Sequence, residues 1–140
     1  MESMTRNIYI TDHDASRLMR LLTSGQQLNT PANRHLLTLK EELEAATTVA
    51  PQAIPPFVIT MNSRFRLKDL ETAHEAEYTL VFPGKADINQ GKISILAPAG
   101  AAFIGAKELE TVSVQTPVGL KRFRVESITY QPEMEEEYEL

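Results

Sequence analysis

Cysteine is absent from this 140-residue chain. That absence excludes disulfides, thiolate metal sites and a cysteine nucleophile, and it fits a reducing cytoplasm. Tryptophan is also absent and aromatics make up 6% of residues, so a large aromatic-lined ligand pocket is not expected. Residues 1–11 hold no apolar stretch of the secretory type, and no run approaches transmembrane length, so neither a leader nor a membrane contact is expected. No G-x-G-x-x-G or G-x-x-x-x-G-K-[ST] loop occurs, and with it goes the usual cradle for phosphates. Gly100 reads instead as a place of close backbone approach, and Gly105 as a helix end. His13, His35 and His74 show neither H-x-x-x-H spacing nor a neighbouring acidic ligand set, so no metal and no other cofactor is expected. There is no G-x-S-x-G elbow, and Ser63 and Ser94 fall in strand-like stretches, poor places for an activated nucleophile.

What is present is enough for a real core: 42% of residues are hydrophobic, well above the disordered range. The formal net charge is −5, unfavourable for general nucleic-acid binding, where phosphate contacts dominate affinity. Charge is uneven. Glu133, Glu135, Glu136, Glu137 and Glu139 crowd the last eight residues, and without those five acids the remainder is formally neutral. The tail is either a flexible solubilising end or a contact for a basic surface.

Periodicity divides the chain into two halves. A short β-like stretch at residues 7–10 precedes a helix start, with Thr11 as N-cap and Asp12 and Asp14 in the first turn. Ala15, Leu18, Leu21 and Leu22 make its apolar stripe, and Gly25 is its expected end. Thr30-Pro31 opens a second helix reaching about Thr47, with Ala32, Leu36, Leu39, Leu43 and Ala46 on one face. The pair reads as a short antiparallel helical hairpin packed as a coiled coil, or as two helices lying on a core. Glu41, Glu42 and Glu44 near the end of helix two oppose the helix dipole; they read first as solvated charge, or else they pair with Lys40 or with arginines of helix one, or serve a partner. Three prolines at 49–56 mark a linker between an N-terminal unit, 1–48, and a C-terminal domain, 57–140.

From Phe57 the period becomes two. Phe65 and Leu67 alternate with Arg64, Arg66 and Lys68, and Tyr78, Leu80 and Phe82 form a second strand. Ile93 and Ile95 form a third, and Val112, Val114 and Thr116 a fourth. A last strand carries Phe123 and Val125, then Ile128 and Tyr130, and the change of parity predicts a β-bulge near Glu126–Ser127. Residues 99–104 form a short helix, and Thr116-Pro117-Val118-Gly119 a tight hairpin turn. Arg64, Arg66 and Lys68 project together from their strand, either as a contact for nucleic acid or an acidic partner or as an ordinary wet face. Lys121, Arg122 and Arg124 form a second basic cluster. The fold class is α+β.

Residues 91–130 run strand, Ala97-Pro98 turn, short helix ending Ile104-Gly105, Val112-Ser113-Val114 strand, Thr116-Pro117-Val118-Gly119 hairpin, and a final strand to Tyr130. This order resembles the C-terminal domain of the bacterial Gre transcript-cleavage factors. Met61-Asn62-Ser63-Arg64-Phe65-Arg66, the stretch 78–83 and the ending Tyr130-Gln131-Pro132-Glu133 are similar to the short Rnk-type branch of that family. The resemblance implies an FKBP-like antiparallel sheet with one short helix. It also implies a transcription elongation regulator, not an enzyme, that binds RNA polymerase at the mouth of the secondary channel and competes with Gre factors. Nucleic acid is then met only indirectly, within the transcription complex, and the chain is a monomer or weak dimer. The implied docking surface is Ala97, Pro98, Ala99, Gly100 and Phe103; an exposed Phe103 would anchor an interface, a buried one would be core.

Gre factors carry acidic residues at the tip of a long hairpin, and these help hold a catalytic Mg²⁺ of the polymerase. The tip here, residues 24–34, contains no Asp or Glu, and helix two of about 16 residues would reach roughly 24 Å, so stimulation of cleavage is not expected. Gre factors also have Ser where Ala97 stands. The Rnk-type branch is labelled a regulator of nucleoside diphosphate kinase; with no nucleotide site legible, such an effect would be indirect. The competing reading is an FKBP-like interaction module or prolyl isomerase unrelated to transcription.

Overall fold

The computed structural model describes residues 6–24 and 28–138. Strand β1 (Tyr9–Thr11) runs directly into helix α1 (Asp12–Thr23). Thr11 caps the helix as expected: its Oγ1 accepts the Asp14 backbone N–H at 3.0 Å, while Asp12 and Asp14 sit in the first turn. Gly25, the expected stop, lies outside the described residues. Pro31 starts a separate 3-10 turn (Pro31–Asn33), closed by the Asn33 N–H on the Thr30 carbonyl. The α-helix proper, α2, is Arg34–Ala45. Helix two is therefore shorter than its sequence suggests: 12 residues, about 18 Å. Strand β2 (Thr47–Val49) then pairs in parallel with β1, Tyr9 opposite Thr47 and Thr11 opposite Val49. This ties the two ends of the helical hairpin together.

The second half is a five-stranded sheet of order β5-β4-β3-β7-β6, with β3 Arg64–Asp69, β4 Glu75–Val81, β5 Lys92–Ser94, β6 Thr111–Thr116 and β7 Gly119–Tyr130. Four of its strands are antiparallel, but β5 lies parallel to β4, so the sheet is mixed and not wholly antiparallel. The cause is the connection: two 3-10 turns, Pro83–Lys85 and Ile88–Gln90, carry the chain back along β4 as far as Thr79, opposite which β5 begins at Lys92. The expected bulge is present. Arg66 faces Ser127 and Leu67 faces Val125, leaving Glu126 unopposed. A second shift leaves Thr129 unopposed between Ile128 and Tyr130. The first returns Ile128 to the inner face opposite Phe65, and the second sets Tyr130 opposite Arg64.

Both halves share one core. Leu18 and Leu22 of α1 and Leu36, Leu39 and Leu43 of α2 belong to the same buried cluster as Phe65, Leu67, Leu80, Val112 and Val125 of the sheet. Helix α3 (Pro98–Phe103) lies between them. The hairpin's apolar stripe thus faces the sheet. Among the described residues, no helix is long and apolar enough to cross a membrane.

Candidate functional site: the α3 platform

The turn and helix at residues 97–103 are held from three sides. Beneath them, Gly100 has no side chain because none fits: a Cβ there would stand 2.1 Å from the Ser94 carbonyl oxygen. Gly100→Ala is expected to lift α3 off β5 at a cost of about 1–3 kcal/mol, read as a fall in the urea midpoint; an unchanged midpoint would contradict this packing. Beside the turn, His35 Nε2 lies 2.8 Å from the Leu96 carbonyl, pinning α2 to the residues just before Pro98. At the far end Arg6 donates to the Ala102 carbonyl at 2.7 Å and the Ala101 carbonyl at 3.3 Å. These are carbonyls that a helix end leaves unpaired, so a cation there is favourable. The same guanidinium forms a fork with Glu42 of α2, Nε to Oε2 at 3.1 Å and Nη2 to Oε1 at 2.8 Å. One residue thereby joins the chain before β1, α2 and α3.

The structure separates the five expected contact residues. Pro98 is exposed, Ala97 and Ala99 are half-buried, and Gly100 is buried. Phe103 is 1% exposed. Its ring packs at 5.7 Å from that of Phe65 and edge-on at 6.0 Å from that of Phe123, so it is core and no surface anchor. What α3 offers a partner is a low-relief surface of Ala97, Pro98, Ala99 and the half-buried Ala102. Arg6 and His35 carry no signal in the sequence that places them at this site. Arg6 contacts residues 95 and 96 positions away and His35 one 61 away, and no local pattern signals such a meeting.

Arg64, Arg66 and Lys68 do project together on the outer face of β3, with Phe65 and Leu67 buried beneath. Their charge is interleaved with acids. Glu75 of β4 faces Lys68, and Glu77 faces Arg66. Arg66 reaches Glu75 at 3.6 Å between groups each more than 40% exposed, a contact worth little. Arg124 pairs with Glu126 at 2.5 Å, while Arg64 lies over the Tyr130 ring at 5.7 Å. The face is a mixed-charge surface, not a continuous basic stripe. On the inner side Lys121 bonds Asp69 at 2.9 Å, and that hydrogen bond holds the Asp69 carboxyl below its usual range. Of the acids near the end of α2, Glu44 pairs with Lys40 at 2.8 Å; Glu42 is bound by Arg6, outside helix one. Among the described residues, no cluster of His, Asp and Glu suits a metal ion.

The acidic end folds back onto the domain. Gln131 is buried and its Nε2 donates to the Pro55 and Val58 carbonyls at 2.9 and 2.8 Å. Thr60 Oγ1 donates to Glu133 at 2.7 Å, and the Tyr130 hydroxyl donates to Glu137. Burial, followed by that carboxylate, pushes the Tyr130 hydroxyl up to about 12.

Residues 55–130 match the family described as Transcription elongation factor, GreA/GreB, C-term, and residues 6–49 match the Rnk N-terminus family. This chain belongs to the GreA/GreB family, on its Rnk branch. The regulator of nucleoside diphosphate kinase of Escherichia coli K12 is 32% identical over 132 residues, covering 94% of this chain and 95% of that protein. Transcription elongation factor GreA of Clostridioides difficile is 37% identical over 90 residues, 64% of this chain and 57% of GreA. A solved GreA/GreB-type elongation factor from Nitrosomonas europaea superposes with a TM-score of 0.73 at 38% identity, covering 90% of this chain and all of the other. These relatives are named as regulators or elongation factors, and none as an enzyme.

Proposed function

We propose that this protein is an RNA polymerase-binding regulator of transcription elongation. It docks at the secondary channel through the α3 platform, excludes GreA-type factors from the same place, and does not stimulate transcript cleavage. The observation that carries the last point is the hairpin tip: residues 24–34 contain no carboxylate. A factor that assists the polymerase metal must deliver an acidic group to it, and Ser, Gln, Asn, Thr and Arg side chains supply none. Length supports the same reading, since α2 has 12 residues and its apolar stripe is buried against the sheet. The likeness lies in the dock and the difference in the tip, so function is argued from the site and not from the fold.

A prolyl isomerase would need an aromatic-lined pocket. Among the described residues, no Phe, Tyr or Trp lines the cleft between α2, α3 and β6. The deciding experiment is binding to core RNA polymerase with GreA as competitor, with cleavage of a stalled transcript followed in parallel. Displacement by GreA without cleavage is the expected result. Cleavage above background, or binding that GreA leaves untouched, would overturn the proposal.

A further inference from the structure

The two edges of the sheet are treated differently. Strand β5 has three residues including Lys92, and its outer side is occupied by the bridge to Asp87. Such an edge is protected by being short, charged and covered. Strand β6 has six residues, TVSVQT, without Lys, Pro or bulge. In its register with β7, Thr116 faces Gly119 across a two-residue turn. Alternation then commits the N–H and C=O of Thr116, Val114 and Val112 to β7 and leaves those of Thr111, Ser113 and Gln115 pointing outward. Among the described residues, none of these three bonds another element through its backbone.

This open ladder lines a groove of about 770 Å³. Residues of β6 from both faces border it, Ser113 and Gln115 as well as Val112 and Val114, so it follows the edge and not one face of the sheet. The opposite wall is α2, through Arg34, His35 and Thr38. That wall decides the occupant. A second copy would bring its own α2 beside its own β6, and symmetric pairing of the edges would drive helix against helix. A single extended segment meets no such obstacle. Charge adds a further condition. Arg6 is neutralised by Glu42 and Glu110 accepts the Lys107 backbone N–H, whereas the exposed Arg34 guanidinium, among the described residues, makes no hydrogen bond or ion pair. It stands eight positions from Glu42 on the same helix, about 12 Å along the groove.

We propose that β6 and α2 form a strand-addition site for an extended peptide of a partner protein, paired through its backbone to Thr111, Ser113 and Gln115 and presenting a carboxylate to Arg34. The main chain supplies affinity, and the acid sets which end of the groove it occupies.

The test needs no polymerase, so its outcome is independent of the docking proposal above. The probe is a fluorescein-labelled octapeptide of alternating valine and threonine with aspartate at each end. Its control is the same peptide N-methylated at alternate backbone positions. Anisotropy is followed with the full-length protein, and amide exchange is read at Ser113 and Gln115. Saturable binding that slows exchange at both amides is expected. N-methylation, or Ser113→Pro, should weaken it by about tenfold or more through loss of ladder bonds. Pro is tolerated where an edge N–H points to solvent, so this variant should keep its fold. Arg34→Gln should weaken binding and remove its salt dependence. Equal binding of the N-methylated peptide, absence of saturable binding, or sedimentation showing β6 already buried in a dimer would each overturn the proposal.

Discussion

Replacing Arg6 with alanine is expected to lower the stability of the protein by about 3 kcal/mol, within the range measured when one partner of a buried pair is removed. Ion pairs on a surface are worth far less, typically 0–1 kcal/mol, and burial decides which regime holds. The Glu42 side chain is 6% exposed and that of Arg6 26%. The carboxylate therefore has little water to fall back on when its cation is gone. Two further contacts disappear in the same change, those from the guanidinium to the Ala101 and Ala102 carbonyls. Glu42→Gln should cost less, because it keeps an acceptor and leaves an arginine that is partly solvated and still bound to α3. Arg6→Lys should not restore stability, since a single ammonium cannot reproduce the planar fork. Urea unfolding of the three variants gives the order. A loss under 1 kcal/mol for Arg6→Ala would mean the fork is no more than a surface pair. Amide exchange at Ala101 and Ile104, which bond within α3, should accelerate in Arg6→Ala, because the helix end loses its anchor.

Much of the architecture could be read directly from residue order because it is local. Thr11 caps α1 through a bond spanning three positions. The bulge at Glu126 is written in the parity of Val125 and Ile128 within a single strand. Gly100 could be recognised as a close approach because a glycine inside a helical stretch demands a reason. What stayed hidden depends on long-range meetings. Nothing near Lys92 announces that β5 will lie parallel to β4, because that follows from the path of two 3-10 turns. Phe103 carried two meanings until its neighbours were known; the rings of Phe65 and Phe123 settle it as core. Glu42 of α2 reads as solvated charge or as a partner of Lys40 or helix one, yet it is held by Arg6, before the first strand. Asp14 is the most instructive case. As a first-turn acid it reads as dipole complement, yet it is also the buried junction of three segments.

The stability of this protein is expected to fall between about pH 4 and pH 7, and Asp14→Asn is expected to remove most of that fall. Asp14 is 3% exposed. Its Oδ2 accepts the Met61 backbone N–H at 3.1 Å, and Glu133 lies close enough to repel its charge. Burial is the main cause that raises its pKa from 3.8 to about 7, opposed in part by the Met61 bond, by Arg17 and by Thr11. The folded state therefore holds a proton that the unfolded chain gives up near pH 4. Stability must decline as pH rises wherever the folded state binds more protons. The contribution is complete below the unfolded value and is lost as pH passes through about 7. A displacement of this size corresponds to about 4 kcal/mol at most. Asparagine keeps an oxygen for the Met61 N–H, cannot ionise, and turns an amide N–H₂ toward Glu133 where a carboxylate would repel it. The variant should be the more stable protein at about pH 8, and that advantage should shrink at about pH 5 and be gone below about pH 4. The readout is the difference between the two pH profiles, because it cancels the other titrating groups. Parallel profiles would show that Asp14 ionises freely. The same junction holds the folded-back end, since Glu133 takes its hydrogen bond from Thr60, next to Met61. Ionised Asp14 should thus loosen that end first, and exchange of the Glu137 amide, bonded to the Pro132 carbonyl, should quicken above pH 7 in the parent protein and not in Asp14→Asn.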